Sequence, residues 1–244
     1  MRREFVIFAV ILAVVFGAGL FGRSLIAGMA VSEIKDAFPG CDVSIGSTEV
    51  RSADMIAITG ISAKKGDTFS CRIKALEVRF SPLSLFTKKF PEIVVKNARL
   101  EVDSRDKKLK DAAGYPAFKP GKGFTAKSVI ISNLNLVLNT SDWETDVTVD
   151  GNIEIRKTPA GGTEIEANFR TIASTGKLAI RDGAFLKKLS EAAKQPPAAI
   201  EDLKDFDLTK GSLQISGKQG SLSSHVTLEG AKVKKDLIFP LSGL

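Results

Sequence analysis

The strongest constraint on this chain is an uncharged apolar run close to its N-terminus. Residues 5–22 read FVIFAVILAVVFGAGLFG and follow two cations, Arg2 and Arg3. As a helix the run would measure about 27 Å, at ~1.5 Å per residue, which is long enough to cross a bilayer core. Arg23 lies at its end, where a long side chain can reach the lipid headgroups. The sequence therefore predicts a transmembrane helix within an anchor unit at 1–31.

The cations before the run predict how the chain is oriented. Arg2 and Arg3 favour a cytoplasmic N-terminus, which places residues 32–244 on the far side of the membrane. We therefore expect a single-pass protein of the inner membrane with an exported C-terminal domain. Two alternatives stay open. One is a signal peptide cleaved near Gly28-Met29-Ala30, although signal cores are usually ~7–15 residues. The other is a core helix of a cytosolic protein.

A short helical pattern follows the anchor. Leu25, Met29, Ile34 and Phe38 have helical spacing, and Pro39-Gly40 would end the helix. We interpret residues 24–38 as a helix that leaves the membrane and packs on the first strands. An interfacial linker is the alternative.

From Cys41 onward the apolar residues recur with a period of two. Leu134, Leu136 and Leu138 alternate with polar residues without interruption, and similar short patterns recur to the end of the chain. Glycine and asparagine separate these patterns at intervals of roughly ten residues. Such alternation is typical of short strands with one buried face. We expect about twelve to fourteen of them.

Two segments interrupt the alternation. Residues 104–124 are polar, basic and marked by proline and glycine, which predicts a long loop. Residues 184–205 have helical spacing on both sides of Pro196-Pro197, which predicts a helical insertion. The loop could touch anionic headgroups, or it could be an ordinary solvated loop. Its candidate headgroup contacts are Lys107, Lys108, Lys110, Lys119 and Lys122.

An internal repeat predicts the shape of the sheet. Residues 93–103 read IVVKNARLEVD and residues 129–139 read VIISNLNLVLN, so that Asn97 and Asn133 occupy the same position. A kink at this position would bend the sheet around its apolar face. We therefore expect a mainly β fold: an elongated, curled, antiparallel sheet with one or two short helices. Chance similarity between strands is the alternative explanation.

Three segments resemble a known family. Residues 59–63 read TGISA, residues 78–86 read VRFSPLSLF and residues 93–102 read IVVKNARLEV. In this order, behind an anchor, they resemble the N-terminal part of AsmA-like proteins of bacterial envelopes. The resemblance implies a repeating β-groove with an apolar concave face, anchored in the inner membrane. It also implies a role in moving phospholipid or maintaining the cell envelope.

Catalytic chemistry is not indicated. No nucleophile elbow, phosphate-binding loop or H-E-x-x-H motif occurs. The only histidine, His225, alternates with Val226 and should face solvent. We therefore expect no enzyme activity, no metal and no cofactor. The net charge of +7 is dispersed and accompanies no nucleic-acid-binding motif, which argues against nucleic acid as a partner.

The two cysteines leave one question open. Cys41 and Cys71 lie too far apart in sequence for a C-x-x-C motif. In an oxidising periplasm they could pair, with a stabilisation of ~3–4 kcal/mol from the closed loop. Two buried free thiols are the alternative.

Two functions suit an anchored β-domain without catalytic residues. The first is binding or transfer of phospholipid or another acyl lipid in an apolar groove, at the membrane. Its candidate groove residues are Val78, Phe80, Leu100, Val102, Leu134, Leu136 and Leu138. The second is a non-catalytic assembly subunit, similar in length and layout to the type II secretion N protein. Its partners would be other envelope proteins or a second copy of this chain.

Overall fold

The computed structural model describes most of the chain after the apolar run. The described residues are 28, 31–32, 34–36, 38, 40–52, 54–81, 84, 89–107, 125–159, 162–218, 221–230 and 233–241. The predicted transmembrane segment 5–22 and residues 108–124 of the basic loop lie outside them. Within the described ranges, no helix is both long and apolar enough to span a bilayer.

The fold is mainly β, as the alternation predicted. Its strands are β1 Asp42–Ser44, β2 Ser47–Ser52, β3 Met55–Lys65, β4 Phe69–Arg79, β5 Lys89–Ser104, β6 Thr125–Thr140, β7 Trp143–Lys157, β8 Thr163–Ile180, β9 Phe206–Lys218, β10 Ser221–Gly230 and β11 Lys234–Leu241. The helices of the predicted helical insertion are α1 Gly183–Ala193 and α2 Pro197–Glu201, followed by a 3-10 turn at Asp202–Lys204. Where residues 28–36 are described, they are helical.

The eleven strands of the described residues form one curled sheet. From β3 to β11 the strands lie side by side in sequence order, while β1 and β2 both pair with β3. The pairing is antiparallel except between β5 and β6, which are parallel. The sheet is therefore largely antiparallel, as expected, and the pair β5–β6 is the one exception among the described strands. The connection 105–124 joins Ser104 and Thr125, which lie at opposite ends of this strand pair.

The parallel pair gives the sequence repeat a structural meaning. Ile93 lies beside Val129, Leu100 beside Leu136 and Val102 beside Leu138. Parallel neighbours place equal positions of the two copies next to each other. The offset of 36 residues in the sequence is therefore the register of the strand pair.

A row of kinks crosses the sheet near its middle. Gly60, Asn97 and Asn133 have positive φ angles of 66°, 51° and 60°. The paired residues on both sides place Gly60, Lys74, Asn97 and Asn133 at corresponding positions of β3, β4, β5 and β6. We call this line the kink row. Strands as long as β5 and β6, with 16 residues each, continue through it. Two patterns that looked like separate strands in sequence are thus one kinked strand, which explains the lower strand count.

The helices begin and end at recognisable signals. Asp182 caps α1, since its Oδ1 accepts hydrogen bonds from the backbone nitrogens of Ala184 and Phe185 at 3.0 and 3.2 Å. Lys194, with a left-handed conformation, follows the last turn. Pro197 begins α2, where a missing N–H does no harm. Both helices therefore have local reasons to form next to a sheet.

Candidate functional site

The predicted groove residues all lie on one face of the sheet. Val78 and Phe80 belong to a cluster with Ile56, while Val102 and Leu138 belong to a second cluster with Phe69. Leu100 and Leu136 pack against the second cluster. Leu134 is paired with Ala98 and Val149 on the same face. We call this the apolar face, and the opposite side the polar face.

Much of the apolar face is filled core. Val78 and Val102 are 2 % exposed, and Phe80 and Leu138 are 8 % and 9 % exposed. Ile34 packs against the cluster of Val78, and Phe38 belongs to that of Val102. The segment before β1 therefore covers the apolar face over β3–β6. These four candidates stabilise the fold, and they do not line an open groove.

Helices α1 and α2 cover a second part of the apolar face. Leu186, Leu189 and Ile200 pack in one cluster with β7, β8, β9 and β11. The Phe185 ring lies 5.4 Å from the Trp143 ring, tilted by 56°. The half of β7–β9 beside the helices is therefore also closed.

Within the described residues, a third part of the apolar face is covered neither by the segment before β1 nor by helices α1 and α2. It consists of three cross-strand rows on β6–β10, which we call the open lane: Val129, Ile131, Ile153, Ile155, Ile165, Phe169, Leu213, Ile215 and Leu222. None of these residues belongs to a core cluster or packs against one. All are half-buried except Ile155, which is 37 % exposed. The lane spans about 19 Å across five strands at ~4.8 Å spacing.

Sequence reasoning placed the open lane in strands without identifying it as a site. Ile153, Ile155 and Phe169 alternate as clearly as Leu134 and Leu136 do. Alternation shows which side chains share a face, but not which of them another segment covers. No signal in the sequence separates the lane from the filled core.

The predicted headgroup contacts are mostly outside the described residues. Residues 108–124 lie outside the described ranges, and they include Lys108, Lys110, Lys119 and Lys122. Lys107 is exposed and lies in a turn, where its backbone nitrogen donates to the Ser104 carbonyl at 3.2 Å. Contact with headgroups stays a prediction for all five.

The two cysteines lie in one cluster and are not joined in this structure. Cys71 is buried on β4, and Cys41 packs against the same cluster just before β1. Burial raises the pKa of Cys71 to about 11, with a smaller contribution from the Cys41 thiol. Burial also raises the pKa of Cys41, and this outweighs the opposite effect of Lys65. Neither thiol is activated as a nucleophile, and their pairing stays a prediction.

The described residues contain no assembled metal site. Among them, no three histidine, cysteine, aspartate or glutamate side chains are arranged so that they could hold a metal ion. The His225 side chain is 44 % exposed, and its Nε2 lies 3.7 Å from Asp236 Oδ1. What this part of the molecule offers chemically is apolar surface on one face and fixed polar groups on the other.

No protein-family model, curated protein or solved structure matches this chain.

Proposed function

We propose that this protein binds or transfers an acyl lipid on the open lane, as a membrane-anchored protein of the bacterial periplasm. The observation that carries the proposal is the lane itself, three adjacent rows of half-buried apolar side chains with no described cover. When hydrocarbon covers apolar side chains that were in contact with water, the free energy falls by about 25 cal/mol per Å² of apolar surface removed from water. An acyl chain supplies such a cover.

The surroundings of the lane support a lipid more than a small polar ligand. Ile153 lies between Val129 and Ala167, and Ile165 lies beside Ile155. The lane thus continues in two directions and offers a surface rather than an enclosed pocket. The resemblance to AsmA-like proteins and the apolar run 5–22 agree with a protein that meets lipid at a membrane.

The test is crosslinking of the full chain in cells grown with a photoreactive fatty acid. After irradiation, the crosslinked peptides are mapped by mass spectrometry. We expect crosslinks in the peptides that contain Ile153, Phe169 and Ile215, besides any at 5–22. Crosslinks confined to residues 5–22 would contradict the proposal, because an anchor alone would produce them.

A pair of neighbouring residues supplies the matched control. Ile153→Asn places an amide in the lane, whereas Asn152→Asp changes the adjacent residue on the polar face. We expect crosslinking to β7–β9 to fall about fivefold or more in the first variant only, since a polar group on an apolar lipid contact costs about 1–3 kcal/mol. Equal crosslinking in the two variants would contradict lipid binding on the open lane.

A second candidate function is that of an assembly subunit, and the edge of the sheet favours it. Strand β11 pairs only with β10 among the described strands. Its Ile238 is 64 % exposed, which makes it the most exposed large apolar residue of the described set. An unpaired edge can accept a strand from another chain. If it does, Ile238→Lys should abolish a concentration-dependent increase in mass, measured by light scattering on the full chain in detergent.

A further inference from the structure

The polar face has a notch where the kink row crosses β3–β6. Its volume is about 390 Å³, and Gly60, Lys74, Asn97 and Asn133 all contribute to its wall. The positive φ angles at Gly60, Asn97 and Asn133 bend the strands at the notch. The notch lies on the side of the sheet opposite the open lane, so the proposed lipid contact does not explain it.

The charged side chains of the notch are all cations. Arg72, Lys74 and Arg99 line it, and no carboxylate of the described residues does. Arg72 and Arg99 are directly opposite each other in the β4–β5 register. Directly opposed like charges destabilise an antiparallel pair. Nothing in the folding of the sheet requires two arginines in this arrangement.

Among the described residues, only one of the three notch cations, Arg99, is paired with a carboxylate. Arg99 Nε lies 3.2 Å from Glu101 Oε2, and a second Arg99 nitrogen donates to Asn135 Oδ1 at 2.7 Å. On β7, Asp146 accepts from the Asn135 side chain at 2.7 Å and Asp150 from the Asn133 backbone at 2.8 Å. Among the described residues, Arg72 and Lys74 have no ion pair and no side-chain hydrogen bond.

The asparagines hold the wall of the notch in place. Asn133 Nδ2 donates to Asn97 Oδ1 at 2.7 Å, which joins the kinks of β5 and β6. The guanidinium groups therefore project from strands whose geometry is fixed at this point. Guanidinium groups match the geometry of phosphate oxygens and bind them with paired hydrogen bonds.

We propose that the notch binds a phosphate group through Arg72 and Arg99, with Lys74 as a third cation. The bound anion would neutralise the repulsion between the two arginines. The phosphate could belong to a lipid headgroup or to a soluble phosphorylated molecule, and both present the same oxygens to the notch. This site is independent of the open lane.

The first experiment measures the melting temperature of the full chain in nanodiscs of zwitterionic phosphatidylcholine. Inorganic pyrophosphate is the probe, and sodium chloride at equal ionic strength is the control. The variants are Arg72→Gln and, as a matched control, Arg170→Gln, an exposed arginine of β8 on the polar face. We expect pyrophosphate to raise the melting temperature of the wild type and of Arg170→Gln, and to have little effect on Arg72→Gln.

The order of the melting temperatures of Arg72→Gln and the wild type should change when pyrophosphate is added, which makes the test sharper. Without pyrophosphate, Arg72→Gln should melt at or above the wild type, because one of the two opposed charges is gone. With saturating pyrophosphate it should melt below the wild type, and its affinity for the probe should fall about tenfold or more. An equal response of all three proteins, or an equal effect of sodium chloride, would overturn the proposal.

The second experiment separates the two sources of phosphate. The full chain in zwitterionic nanodiscs is mixed with vesicles that contain phosphatidylglycerol. Vesicle binding that requires Arg72 and is reversed by pyrophosphate would assign the notch to a lipid headgroup. Pyrophosphate binding without Arg72-dependent vesicle binding would assign it to a soluble ligand. Arg72→Gln should leave fatty-acid crosslinking to Ile153 unchanged. The two experiments therefore distinguish failure of the proposed phosphate site in the notch from failure of the proposed lipid binding on the open lane.

Discussion

Asn133 donates a hydrogen bond of 2.7 Å from Nδ2 to Oδ1 of Asn97, the residue at the same position of the other repeat copy. Both backbones have positive φ, at 60° and 51°. Asparagine tolerates this conformation better than most residues that carry a side chain. The two asparagines thus occupy equal positions of the sequence repeat, lie on the parallel strands β5 and β6, and form the kink of both strands.

The first prediction concerns the kink. Asn97→Gly should reduce the free energy of unfolding only slightly, because glycine adopts positive φ without strain. Asn97→Val should reduce it by about 1–3 kcal/mol more, since a β-branched residue in this region is strained. Urea unfolding of the full chain in detergent, followed by circular dichroism, measures both. Equal stability of the two variants would show that the kink does not constrain this residue.

The second prediction concerns a close contact on the apolar face. A Cβ at Gly151 would lie 2.2 Å from Phe169 Cδ1 and 2.9 Å from the Asn168 carbonyl oxygen. Gly151→Ala should therefore destabilise the protein by about 1–3 kcal/mol, because ring and backbone must both move. At Gly183, the first residue of α1, a Cβ would meet nothing within 4 Å. Gly183→Ala should be neutral or stabilising in the same unfolding measurement, and a larger loss there than at Gly151 would contradict this contact.

The third prediction separates filled core from open lane. Leu138→Ala should lower the free energy of unfolding by about 2–4 kcal/mol, because the side chain is 9 % exposed and packed in a cluster. Ile155→Ala should cost less than about 1 kcal/mol, since its side chain is 37 % exposed. Fatty-acid crosslinking should fall with Ile155→Ala. Similar losses of stability in both variants would mean that the open lane is covered in the folded protein.

The fourth prediction concerns thiol reactivity. With a pKa of about 11, Cys71 is a thiolate in only about one molecule in a thousand at pH 8. Native protein kept under reducing conditions should therefore label slowly with iodoacetamide, at Cys41 before Cys71, and both should label quickly after unfolding. Peptide mass spectrometry measures the order. Equal rates at the two residues in the native state would contradict the burial of Cys71, while two blocked residues without reductant would indicate a disulfide.

Local patterns in the sequence were sufficient to predict the mainly β fold and the kink position. Period-two alternation requires only neighbouring residues on one strand, so it is visible without the fold. Asn97 and Asn133 were identified as kinks because the same residue interrupts both repeat copies. The parallel pairing of β5 and β6 was not predictable in this way. Alternation is the same in parallel and antiparallel strands, and their relative direction depends on the path of the connection 105–124.

The sequence alone determined which apolar side chains of one strand segment share a face, and the structure decided which parts of the apolar face are covered. Leu134 and Leu136 share a face because side chains alternate along β6, and the registers of β4, β5 and β6 place them on the same face as Val78. Val102 is buried because Phe38, more than sixty residues earlier in the chain, packs in the same cluster. Ile153 has no such cover among the described residues. Burial of this kind depends on contacts between distant segments, and so only the tertiary structure distinguishes the core from the open lane.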